Sequence, residues 1–167
     1  MTRIGLLSDT HSWLDPDVFS YFDSCDEVWH AGDLGSMEVL EKLEAFRPTR
    51  AVYGNIDNAQ IRAAAPENQI FSLDGLSVVM THIGGYPGRY NARVKELLDS
   101  HRPDLYICGH SHILKVIPDK KRHLLHINPG ACGNHGFHKM RTIVRFAIQA
   151  GKITDLEVVE LGKRGQL

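Results

Sequence analysis

What most constrains this chain is a repeated unit in which a short apolar run ends in a polar cluster. Residues 3–7 (Arg-Ile-Gly-Leu-Leu) meet Ser8-Asp9-Thr10-His11, residues 27–30 run into His30-Ala31-Gly32-Asp33, and residues 50–53 meet Gly54-Asn55-Ile56-Asp57. Residues 105–108 (Leu-Tyr-Ile-Cys) meet Gly109-His110-Ser111-His112, and Thr81-His82 closes a fifth run. Apolar runs of this length, bounded by glycine and polar residues, read as buried strands. Helical spacing separates them. Asp15-Pro16 caps a segment with Val18, Phe19 and Phe22 on one side. Another follows Ser36 with Met37, Leu40 and Leu43, and a third sets Tyr90, Val94, Leu97 and Leu98 on one face before Pro103 stops it.

Strand and helix alternate over the first 55 residues, which predicts βαβ units and parallel pairing. The remainder reads as hairpins, turning at Asp74-Gly75, Asp119-Lys120-Lys121 and Ala150-Gly151. The expectation is therefore two packed sheets of mixed direction with helices outside. No repeat or low-complexity linker divides residues 1–167, so they are read as one domain.

In open α/β sheets the carboxyl ends of the strands form one rim, where clusters scattered along the sequence converge. Asp, Asn and neutral His offer oxygen and imidazole nitrogen without thiolate, a donor set suited to Mn, Fe, Ni or Zn. Asp9/His11 and His110/His112 stand two apart, which on an extended segment points both side chains the same way. Seven candidate ligands exceed the needs of one ion and suit two, with Asp33 as the bridging carboxylate.

The series D-x-H, G-D, G-N-x-D, T-H and G-H-S-H, in this order from Ile4 onward, resembles the calcineurin-like metallophosphoesterase superfamily. The opening Ile4-Gly5-Leu6-Leu7-Ser8-Asp9-Thr10-His11 and the late Ile127-Asn128-Pro129-Gly130 resemble its small YfcE-type phosphodiesterases. The resemblance implies a four-layer α/β/β/α sandwich of two mixed β-sheets. It also implies that Asp9, His11, Asp33 and His112 hold one metal ion and Asp33, Asn55, His82 and His110 the other, with Asp33, Asn55 and His82 closest to the chemistry. The implied cofactors are two divalent ions per chain, Mn²⁺ first, with Fe, Ni or Zn as alternatives. The implied reaction is phosphodiester hydrolysis by a metal-bridging hydroxide on a small phosphate ester.

Ile56 stands where many superfamily members carry a histidine that donates a proton, so this chain favours leaving groups of low pKa. His135 and His138, in a polar loop, are read as solvated residues that can also substitute as donors. Tyr86, Arg89 and Tyr90 are read as available to substrate, Asp57 as an acceptor that orients the site, His30 as a core histidine, and Cys108 as a buried apolar residue. Gly162-Lys163-Arg164-Gly165 is read as a frayed end.

Composition narrows the alternatives. A net charge of -1 provides no global basic field, which disfavours nucleic acid as a partner. Three cysteines without a C-x-x-C pair, and an N-terminal apolar run too short for a signal or spanning segment, read as an untargeted cytoplasmic protein with no membrane association. Oligomeric state stays open. The rival activity is a phosphomonoesterase. The rival from another class is a scaffold module like the retromer subunit Vps29, a superfamily member that has lost competent metal-site residues; here His82 and the other ligands are present.

Overall fold

A computed structural model describes residues 1–165. The first sheet has the order β10-β9-β1-β2-β3. Its strands are β1 (Thr2–Leu7), β2 (Glu27–His30), β3 (Thr49–Ala51), β9 (Met140–Gln149) and β10 (Lys152–Lys163). β1, β2 and β3 pair in parallel, as the strand–helix alternation predicts, while β9 and β10 add antiparallel. The second sheet has the order β4-β5-β6-β8-β7. It comprises β4 (Asn68–Leu73), β5 (Leu76–Thr81), β6 (Leu105–Ile107), β7 (Lys115–Asp119) and β8 (Leu124–Asn128). The helices are α1 (Asp17–Tyr21), α2 (Met37–Phe46), α3 (Ala59–Ala64) and α4 (Ala92–His101).

Strand alternation builds the layers. Ile4, Leu6 and Trp29 on the first sheet meet Val78, Met80, Leu105 and Ile107 on the second, forming a core between the sheets. Their neighbours Leu7 and Val28 point the other way, against Val39, Leu40 and Leu43 of α2 and Ile61 of α3. Val79 and Tyr106 face Val94 and Leu98 of α4 in a third cluster. Three apolar interfaces separate four layers, so the α/β/β/α sandwich follows from period-two patterning on ten strands.

The hairpins at Asp74-Gly75 and Ala150-Gly151 have both turn residues at positive φ (46° and 80°; 50° and 75°), the geometry whose twist matches the flanking strands. Three sequence expectations need correction. α3, capped by the Asn58 side chain on the Ile61 N–H, was not anticipated, because its short Ala-rich stretch carries little periodicity. Tyr90 precedes α4, whose cap is Asn91, and lies 4% exposed against Tyr106 and His126, so it cannot touch substrate. The Gly162–Gly165 stretch is not frayed. β10 runs to Lys163, and Arg164 and Gly165 bond the Lys139 carbonyl, the His138 carbonyl and the Asn134 side chain.

Candidate metal centre

The five polar clusters meet at the carboxyl ends of β1, β2, β3, β5 and β6, where the two sheets come together. Backbone bonds align the loops: the Asp9 N–H donates to the Gly32 carbonyl (3.0 Å), His11 to Asp33 (3.1 Å) and Gly109 to His82 (3.0 Å). Cys132 and Gly133, after β8, donate to the Ser8 and Asp9 carbonyls and bring residues 133–138 over the site.

Local conformation departs from the extended segments expected. Asp9, His11, Asp33, His110 and His112 all have positive φ, between 45° and 70°. A non-glycine residue held there costs roughly 1–2 kcal/mol, so five of seven candidate ligands sit in a conformation that the interloop bonds must enforce. The consequence is visible at His110 and His112. Rather than pointing the same way, they part: His112 joins Asp9 and His11, while His110 joins Asp33 and His82, each set having its donor atoms within 4.8 Å of one another.

The distances between donors suit ions better than hydrogen bonds. His11 Nε2 lies 3.4 Å and His82 Nε2 3.2 Å from Asp33 Oδ2, which therefore stands between the two groups. Asp9 Oδ1 lies 3.2 Å from His112 Nε2 and 3.8 Å from both His11 and His82. Two donors each about 2.1 Å from one ion, at tetrahedral to octahedral angles, stand roughly 3.0–3.5 Å apart. Asp9 Oδ1, His11 Nε2 and His82 Nε2 are buried without a hydrogen-bond partner among the described residues. Buried polar atoms left so are uncommon, and three of the eight in the described residues belong to the candidate ligands.

The second polar atoms of Asp9, Asp33, His82 and His110 are satisfied, which fixes the orientation of the first. Asp9 Oδ2 accepts from the Ser8 hydroxyl (2.6 Å) and the His110 N–H (3.1 Å). The His82 Nδ1–H donates to the Ala31 carbonyl (2.7 Å), leaving the Nε2 lone pair for a ligand role. His110 Nδ1–H donates to Asn55 Oδ1 (3.0 Å), bringing Asn55 to the second group. Asp57, read as an orienting acceptor, receives the Leu34, Gly35 and Gly54 N–H groups and so pins the Asp33 loop to the Asn55 loop. His30 accepts the Gly32 N–H at Nδ1, placing its proton on Nε2, which donates to Thr10 Oγ1. It is a core histidine, yet it braces the two loops that carry both carboxylates.

Close approach explains two glycines. Gly32, at φ +100°, leaves no room for a Cβ, which would stand 2.5 Å from the His82 imidazole. A Cβ on Gly54 would overlap the Asp33 carboxylate.

Electrostatics keep the carboxylates ionised. Burial alone would raise the Asp9 carboxyl, but the imidazoles of His11, His112 and His82 hold it well below the usual range. Burial likewise opposes ionisation of Asp33, and His82 and the Ile56 N–H outweigh it. Both groups are anions at neutral pH, the form a cation requires.

Residues 133–138 lie closer to the site than a solvated loop need be. The His135 ring lies 4.7 Å from His11 and the His138 ring 5.2 Å from His112, with His135 exposed to solvent as expected and His138 half-buried. Only the three-dimensional path of this loop reveals that. Cys108 is buried and its thiol is pushed up to about 12, principally by burial, as befits an apolar residue rather than a nucleophile.

A four-layer sandwich with two carboxylates and four imidazoles converging at its strand ends defines a candidate metallohydrolase scaffold. The calcineurin-like phosphoesterase superfamily domain matches residues 2–151, and the chain belongs to that family. A probable metallophosphoesterase of Methanothermobacter thermautotrophicus is 30% identical over 135 residues, 77% of this chain and 76% of that protein. An archaeal phosphodiesterase of known structure superposes with a TM-score of 0.70 at 23% identity, covering 95% of this chain and 99% of that one. Wild-type Vps29 of Entamoeba histolytica, solved in complex with Zn²⁺, superposes with a TM-score of 0.72 at 17% identity, covering 95% and 98%. No helix among the described residues is long and apolar enough to cross a membrane.

Proposed function

We propose that the chain is a dinuclear metal-dependent phosphodiesterase. The observation that carries this reading is the set of buried, unpartnered donors, Asp9 Oδ1, His11 Nε2 and His82 Nε2, with both imidazoles 3.2–3.4 Å from Asp33 Oδ2 and 3.8 Å from Asp9 Oδ1, the spacing of donors that share an ion. Asp9, His11, Asp33 and His112 would hold one divalent ion and Asp33, Asn55, His82 and His110 the other, Mn²⁺ first among Mn, Fe, Ni and Zn for a donor set without thiolate. Such a pair of ions supplies an acidified water, a clamp on the phosphoryl oxygens and neutralisation of developing charge.

The chain's own residues set the geometry. Asp33 spaces the two ligand groups, and Asn55, held by His110, sets its amide beside them at the mouth. In the reaction the water oxygen bonds to phosphorus as the opposite ester P–O bond breaks, and the alcohol departs with its electron pair. Ile56 carries no proton to give that alcohol. This supports diesters with acidic leaving groups over monoesters. Three buried free thiols support a reducing, cytoplasmic setting for one unit spanning residues 1–167.

The scaffold reading has its own support, since Vps29 shares the fold and one Vps29 binds zinc. Metal content alone therefore does not separate the two. Turnover does: the protein loaded with Mn²⁺ is expected to hydrolyse an aryl phosphodiester, and to stop on chelation. Inactivity with Mn, Fe, Ni and Zn on both diesters and monoesters would leave the scaffold.

A further inference from the structure

Beside the candidate centre lies a second cleft that the metal ligands do not fill. It has a volume of about 310 Å³, Asn55 and His82 form part of its wall, and Arg62 and Arg93 line it. Resting on the phosphodiesterase reading, we propose that this cleft is a subsite for a second anionic group, phosphate or carboxylate, carried on one ester arm of the substrate.

Both guanidiniums are held in place before any ligand arrives. Arg62 stacks on the Tyr53 ring (4.6 Å) and donates through Nε to the Asp57 carbonyl (2.8 Å) and through Nη2 to the Asn55 carbonyl (3.3 Å). Its Nη1 has no protein partner among the described residues. Arg93 donates through Nη2 to Thr81 Oγ1 (3.0 Å) and the Ile83 carbonyl (3.1 Å), and through Nη1 to the Asn68 side chain (3.0 Å). Each arginine is thus fastened to a segment that carries a candidate ligand, Asn55 in one case and His82 in the other. A phosphoryl group at the centre and an anion between the arginines would share one wall.

Pre-oriented cations bind anions without the entropic loss of ordering a long side chain. The one opposing charge in the cleft, Glu67, is half exposed and 3.8 Å from Arg93 Nη1, a loose pair that leaves the balance positive. On the other side of Asn55 the mouth holds no arginine or lysine; Ile56, Ile113 and Phe137 stand exposed there beside the imidazoles of His110, His135 and His138. The two arms of a diester therefore meet different surroundings, and only one of them offers guanidinium groups.

Two measurements test this. In the chelated full-length protein, inorganic phosphate is titrated while the Arg62 and Arg93 Nε–H signals are followed by NMR. A saturable shift of both, lost in Arg62→Met and strengthened in Glu67→Gln, is expected. In the Mn²⁺-loaded protein, nitrophenyl diesters whose other arm ends in a neutral, carboxylate or phosphate group are compared. A charge-assisted contact predicts a KM about tenfold lower for the arm whose anion fits, with kcat less affected, and a ratio near one in Arg62→Met. The carboxylate and phosphate arms show which anion the cleft takes. Equal KM for all three arms in wild type, with no phosphate shift, would overturn the subsite and leave the phosphodiesterase standing. Absence of turnover on every diester would overturn the phosphodiesterase reading, and the substrate subsite with it, even if phosphate binds.

Discussion

Five of the seven candidate ligands divide into an inner wall and a mouth, with His11 and His112 half-buried between them. Asp9, Asp33 and His82 are at most 3% exposed, and their other polar atoms are occupied by Ser8, the Ile56 N–H and the Ala31 carbonyl. Asn55 and His110 are exposed, and around them stand Ile56, Ile113 and Phe137, the last wholly in solvent. The inner wall is built so that one lone pair per side chain is left over, which suits a cation and little else. The mouth carries two further candidate ligands, Asn55 and His110, and sets Ile56 beside them, so on the proposed reading it bears on which esters react as well as on the second ion.

The sharpest way to break this division is Asp33→Asn. Loss of the shared carboxylate is expected to lower metal occupancy and to reduce diester turnover by about 10³-fold or more while the chain stays folded, as checked by circular dichroism and metal analysis. Full activity in the variant would mean that the wall is not the working site.

Acid should attack the supports of the wall and of the third cluster, where His126 packs against Tyr90 and Tyr106. His30, principally by burial and against the pull of Asp57 and Asp9, is pushed down from 6.5 to about 4. His126 is pushed to about 4 by burial and Lys115, against Asp119. Protons therefore bind the unfolded chain first, so stability is present above about pH 6.5 and is lost as pH falls towards about 4, by up to ~3 kcal/mol for each histidine. Urea unfolding of the chelated protein across that window measures it, and His126→Gln should flatten the dependence. A stability independent of pH would contradict the assignment of neutral buried histidines.

Gly54→Ala tests the wall from its neighbour. The added methyl group must displace both the Asp33 carboxylate and the Asp33 backbone N–H, so metal affinity should fall by about 10–100-fold or more, as read by competition with a chelator on protein shown by circular dichroism to be folded. Ile56→His tests the mouth. A proton donor there should raise turnover of alkyl esters by about tenfold and leave nitrophenyl esters nearly unchanged. A rise for both would mean that Ile56 governs access instead.

Much of this was legible in the sequence. The order of the clusters, the parallel start, the hairpin turns and the choice of seven candidate side chains follow from local patterns, because strand alternation and turn chemistry are local. What was not legible is set by contacts far apart in the chain. The left-handed backbone at Asp9, His11 and Asp33 depends on bonds between the loops after β1 and β2. The parting of His110 from His112 follows from the same conformation. Tyr90 reads as a rim residue until it packs against Tyr106, and the approach of His135 and His138 to His11 and His112 depends on the Cys132 and Gly133 N–H groups that bind the β1 loop.

The central claim is that Asp33 spans two ions. Titration of the chelated protein with Mn²⁺, followed by electron paramagnetic resonance, tests it most directly, because ions about 3.5–4 Å apart on a shared carboxylate are magnetically coupled. The account predicts two Mn²⁺ per chain with a coupled spectrum that Asp33→Asn abolishes. Saturation at one ion, or two uncoupled signals, would contradict it.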